Sequence, residues 1–125
     1  MPIFLVTKRS GLTNLFKASF TISAVRSFAE THEVLSVIAK INPETETTLV
    51  AIDLSTTVDA ARLIHSLRSS PDTSGIPIVT IGTAADFNSL DPAARAALTE
   101  MLHVSATANE IEAAIAKHLK PDCDK

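Results

Sequence analysis

Three apolar runs stand out along the chain: 3–6 (Ile-Phe-Leu-Val), 49–52 (Leu-Val-Ala-Ile) and 76–81, the last interrupted only by Pro77 and Thr80. Their β-branched content and lack of polar alternation predict strands covered on both faces, as in a parallel sheet. Between them the period changes. Val58, Ala61, Leu63, Ile64 and Leu67 recur at helical spacing and run into the breaker segment Ser69-Ser70-Pro71-Asp72-Thr73-Ser74-Gly75, which predicts a crossover helix over 58–67. A second helix is expected over 28–41, where Val34, Leu35, Val37, Ile38 and Ile41 form one stripe. It stops short of Pro43, because the residue before a proline disfavours the helical region. Asp91-Pro92 opens a third over 92–98: Asp caps the first free amides, Pro suits the first helical position, and the alanines that follow favour helix. A fourth spans 109–119 with Ile111, Ala114, Ile115 and Leu119 inward, and weaker signals predict strands at 20–25 and 101–104 and a short helix at 12–18.

Strands alternating with helices through five repeats predict an α/β domain with a doubly wound five-stranded parallel sheet, since each parallel pair needs a covering crossover. A mixed sheet is the alternative. With 125 residues the chain holds one core, read as a domain over 1–119 followed by a polar tail over 120–125.

Composition narrows the function classes. Eleven Lys and Arg stand against fourteen Asp and Glu, a net charge of −3 with no block of either sign, which argues against capture of nucleic acid or of an anionic membrane surface. The apolar runs are far shorter than the ~20 residues of a spanning helix, and 1–6 lacks the layout of a signal peptide, so a cytoplasmic location is expected. Cys123 is the single cysteine, and His32, His65, His103 and His118 share no metal-ligand spacing. No metal or cofactor site is expected. Gly11, Gly75 and Gly82 are the only glycines, too few for a phosphate-cradling loop, and no nucleophile–base spacing marks an enzyme.

The segment Leu49-Val50-Ala51-Ile52-Asp53-Leu54 resembles the third strand of response-regulator receiver domains, which ends in the phosphate-accepting aspartate, and Ile76-Pro77-Ile78-Val79-Thr80-Ile81 resembles their fourth strand. The resemblance covers nearly the whole chain and implies a flavodoxin-like, receiver-type fold with Asp53 at the phosphoacceptor position. It also implies an acidic pair for Mg²⁺ after the first strand, where Lys8 and Arg9 stand here, and a hydroxyl ending the fourth strand, where Gly82 stands with Thr83 one place later. The Lys-Pro pair after the fifth strand corresponds to Ser105-Ala106, and the aromatic of that strand to Leu102 or His103. Of the family's set only Asp53 remains.

Phosphoryl transfer depends on positioning and on neutralising charge over the transferred oxygens. A single carboxylate beside two cations is a poor Mg²⁺ site. The expected function is therefore that of a pseudo-receiver: a phosphorylation-independent, non-enzymatic interaction module of bacterial signalling, with a protein partner and a weak homodimer through the face built from 92–98, 101–104 and 109–119. At least one of Lys8 and Arg9 is expected to reach Asp53. The competing readings are a phospho-acceptor with an altered site, and a sulfate-transporter and anti-sigma-antagonist domain, suggested by Ile52-Asp53-Leu54-Ser55. The latter opens with an antiparallel strand pair, so a wholly parallel sheet removes it.

Overall fold

The computed structural model describes residues 2–19, 24–38, 49–57, 59–69, 75–103, 105 and 107–119. Eleven elements follow one another in the described residues: β1 (Pro2–Val6), α1 (Ser10–Ser19), β2 (Ala24–Phe28), α2 (Thr31–Ile38), β3 (Leu49–Asp53), α3 (Ala60–Ser69), β4 (Ile78–Gly82), α4 (Ala84–Ser89), α5 (Pro92–Ala96), β5 (Glu100–His103) and α6 (Ala108–Leu119). The strands form one sheet in the order β2-β1-β3-β4-β5, and every pairing is parallel. The anti-sigma-antagonist reading and the mixed sheet both fall with that observation.

Period-two alternation divides the strand residues between two cores. Phe4, Val6, Val50, Ile52 and Ile78 pack with Val34 of α2, Leu63, Ile64 and Leu67 of α3, and Ala94 of α5. Ile3, Leu5, Leu49, Ala51, Val79 and Ile81 pack with Phe16 of α1 and with Ile111 and Ile115 of α6. β3 and β4 are buried along their whole length, which is why their sequences carry no polar alternation.

Several elements depart from the sequence reading. β2 lies at Ala24–Phe28 rather than 20–25, of which 20–23 fall outside the described residues. Phe28 therefore closes a strand instead of opening a helix, and its ring meets Phe4 edge-on at 5.8 Å. β2 is an edge strand, and an edge tolerates the exposed Arg26 and Ser27 that disguised it. β4 begins at Ile78, because Pro77 brings no N–H to the ladder and offers only its carbonyl, which accepts from the Val50 N–H at 3.0 Å. α4 was not expected at all, and α5 stops at Ala96 instead of reaching 98. Residues 39–41, Val58, Val104 and the tail 120–125 with Cys123, all included in the sequence reading, lie outside the described residues.

Candidate functional site

Parallel pairing brings the C-terminal ends of all strands to one edge, and the order 2-1-3-4-5 opens its crevice between β1 and β3, where the chain reverses direction across the sheet. Val6 pairs with Ile52, so Thr7 comes level with Asp53 across that crevice. Asp53 is fully buried, and its carboxylate is enclosed by donors. Oδ2 accepts from Thr7 Oγ1 at 2.7 Å, from Arg9 Nε at 2.7 Å and from Thr56 Oγ1 at 3.1 Å, while Oδ1 accepts from the Ser55 N–H at 3.1 Å. Both hydroxyls are themselves oriented. The Arg9 N–H donates to Thr7 Oγ1 at 3.0 Å and the Lys8 N–H to Thr56 Oγ1 at 3.1 Å, which leaves each hydroxyl proton for Asp53.

The two cations after β1 part company. The Arg9 side chain, 40% exposed, closes over Asp53 as a charge-assisted pair. The Lys8 ammonium turns outward towards Glu30, 4.0 Å away. Thr7 and Thr56 were missing from the sequence reading. The single sign of them was a run of hydroxyl residues, Ser55-Thr56-Thr57, beside the aspartate, which read equally well as a helix start.

The other positions sit apart from this cluster. Gly82 ends β4, and a Cβ placed there would lie 3.0 Å from Leu54 Cβ and 3.0 Å from Asp86 Cβ, so a side chain at the position that the resemblance gives to a hydroxyl would have to push Leu54 or Asp86 aside. Thr83 caps α4: its Oγ1 accepts from the Asp86 N–H at 3.1 Å and its own N–H donates to Asp86 Oδ2 at 3.0 Å, a reciprocal capping box. The Thr83 N–H, above all, holds the Asp86 carboxyl below its usual value; desolvation works against it, and the hydroxyls of Thr83 and Ser55 add to the lowering. Ser105 is exposed beyond β5 and bonds His103, whose Nδ1 accepts from the Ser105 N–H at 3.1 Å.

Mg²⁺ does not fit these residues. The loop after the first strand supplies a threonine and two cations, the buried Asp53 carboxylate is already paired with one of those cations, and no cluster of three His, Cys, Asp or Glu exists among the described residues. Beside the site, a cleft of about 250 Å³ runs between the start of α3 and α4, walled by Leu54, Ala60, Ala61 and Leu90 with Asp86 and Ser55 at its polar side. No described helix is long and apolar enough to cross a membrane.

Solved structures share this architecture. The chain matches a response regulator receiver domain protein from Clostridium thermocellum with a TM-score of 0.75 at 16% identity, covering 94% of this chain and 93% of that one. It matches chemotaxis response regulator CheY4 of Vibrio cholerae with a TM-score of 0.76 at 13% identity over 94% and 98% of the two chains. A third match is the receiver domain of sensor histidine kinase PA1611 from Pseudomonas aeruginosa, in which a magnesium ion is coordinated in the active-site cleft: TM-score 0.76 at 13% identity over 94% and 96%. No protein-family model matches the sequence, and no curated protein does so either. At such low identity the likeness establishes the fold: the chain is an α/β domain of the receiver, flavodoxin-like type.

Proposed function

We propose that this chain is a pseudo-receiver, a non-enzymatic module of bacterial signal transduction that works in the cytoplasm by binding a protein partner and does not depend on phosphorylation. The observation that carries the reading is the Arg9 guanidinium paired with the buried Asp53 carboxylate, whose Oδ2 is fully engaged. To attack phosphorus, a carboxylate oxygen needs a free lone pair with an open approach, and the transferred oxygens need cations arranged around them. Asp53 Oδ2 already accepts three hydrogen bonds, Oδ1 accepts a fourth, and the Arg9 guanidinium lies over the carboxylate. Arg9 thus serves as a fixed internal counter-charge where a receiver would use an exchangeable metal. Gly82 carries no hydroxyl, the Thr83 hydroxyl caps α4, and Ser105 stands where the lysine of phosphoryl transfer would be needed.

Intact-mass measurement after incubation with acetyl phosphate and Mg²⁺ tests the reading. The expected spectrum is unchanged. A Mg²⁺-dependent gain of one phosphoryl group that disappears in Asp53→Asn overturns it in favour of a phospho-accepting receiver. The partner surface we assign to the face of α5, β5 and α6, where Met101 stands 48% exposed, the one exposed large hydrophobic residue among those described.

A further inference from the structure

Asp86 has no part in the site as the sequence reads it, yet its carboxylate connects two loops. Oδ2 accepts from the Thr83 N–H on the β4–α4 side and from Ser55 Oγ at 3.2 Å on the β3–α3 side. Ser55 in turn donates its N–H to Asp53 Oδ1, so one residue bridges the two carboxylates. The chain of contacts therefore runs from Arg9 through Asp53, Ser55 and Asp86 to Thr83, across all three loops that follow β1, β3 and β4. Gly82 is what admits it: a Cβ at that position would stand 3.1 Å from Asp86 Oδ2 and 3.0 Å from Leu54 Cβ, within the volume the Asp86 side chain now uses.

We infer that Asp86 and Ser55 form an internal latch that holds the β4–α4 loop and α4 closed against the β3–α3 loop, so that the surface beyond β4 is presented in one fixed arrangement. The inference rests on the pseudo-receiver reading in taking that arrangement as the working state. A capping box alone would order only the first turn of α4, whereas the Ser55 bond joins segments 31 residues apart and couples them. The latch needs no ligand, since every donor and acceptor in it belongs to the chain.

The test is backbone ¹⁵N relaxation dispersion and amide hydrogen exchange on the whole chain, for the parent and for Ser55→Ala, Asp86→Asn and Gly82→Ala, with circular dichroism to verify folding. Ser55→Ala is the decisive variant because it leaves the capping box intact. In the parent, the amides of 54–57 and 83–90 should give flat dispersion profiles. In Ser55→Ala both segments should show microsecond-to-millisecond exchange, and their protection should fall roughly threefold to tenfold, the weight of one net hydrogen bond. Gly82→Ala should release both loops as well, by displacing Asp86. Exchange across both loops in the parent, or a Ser55→Ala effect confined to residue 55, overturns the latch. Either result leaves the phosphodonor experiment standing, just as phosphoryl uptake at Asp53 would overturn the proposed function without touching the relaxation data.

Discussion

A carboxylate removed from water is tolerated when its charge and lone pairs are matched, and Asp53 meets that condition through four short contacts. Arg9 is the one charged member, and its 40% exposure places the pair between a surface bridge and a buried one. Arg9→Ala is expected to cost about 1–3 kcal/mol in urea unfolding, the range for hydrogen bonds to charged groups, with Thr7, Thr56 and the Ser55 amide still holding the carboxylate. Arg9→Lys should not restore the loss, because the bond is made by Nε in the rigid plane of the guanidinium. In a double-mutant cycle with Asp53→Ala the pair should couple by more than about 1 kcal/mol, as contacting residues do, and additivity would mean that Arg9 does not act through Asp53. Asp86 offers a second residue-level test. Because its folded pKa lies below the ordinary 3.8, its contribution is complete above that pH and is lost as pH falls through the lower folded value. Carboxyl ¹³C titration should therefore give a midpoint below 3.8, rising in Ser55→Ala, and an unshifted midpoint would mean that the capping contacts are not held in solution.

Among the elements, α3 packs into the core through Leu63, Ile64 and Leu67 and adds polar links at its C-terminal end through Arg68. Arg68 Nε and Nη2 both donate to the Ala97 carbonyl at 3.0 and 2.9 Å, and Nη1 donates to the Ile76 carbonyl at 2.7 Å. These acceptors are the C-terminal cap of α5 and the residue two before β4, places where carbonyls lack partners within their own element. Arg68→Met keeps the aliphatic stem and removes the donors; it should lower stability by about 1–2 kcal/mol, the charged-bond range reduced for partial exposure, and should raise amide exchange first at 97–99. Unchanged exchange there would mean that α5 is held by Ala94 packing alone. The same elements show what the pattern carried. α3, β3 and α6 were legible because their apolar residues repeat at one period in a run long enough to declare it. α4 was hidden because its six residues, Ala-Ala-Asp-Phe-Asn-Ser, bury no side chain completely and so show no stripe. Its start was written in Thr83 and Asp86, a Thr-x-x-Asp spacing that departs from the usual Thr-x-x-Glu capping signature.

For the molecule as a whole, the parallel sheet was readable from three strands whose two buried faces force continuous apolar runs, while the site was readable at Asp53 and in the expectation that Lys8 or Arg9 reaches it, which Arg9 does. Ser55 and Thr56 reach Asp53 locally, but the contacts that bring the loops together join residues 31 to 48 positions apart, and one-dimensional spacing says nothing about which of those loop groups face each other. The open side of the fold is the β5 edge. Glu100 and Leu102 turn towards α6, where Lys117 Nζ meets Glu100 at 2.9 Å and Leu102 packs against the core, and Met101, between them on the strand, faces the opposite side and stands half-exposed. Completing the burial of one half-exposed Met gains about 1 kcal/mol per copy, little against the cost of association, so any homodimer through this face is weak. Light scattering should show the parent as a monomer when dilute and a rising mean mass as the concentration approaches about 1 mM, where a binding free energy of about −4 kcal/mol takes hold. Met101→Glu puts a like charge beside Glu100 on each copy, and it should keep the mass monomeric throughout without lowering the unfolding midpoint, since an exposed position carries little stability. A parent that stays monomeric at that concentration would remove the homodimer, and a Met101→Glu variant that associates equally well would move the self-association surface away from β5.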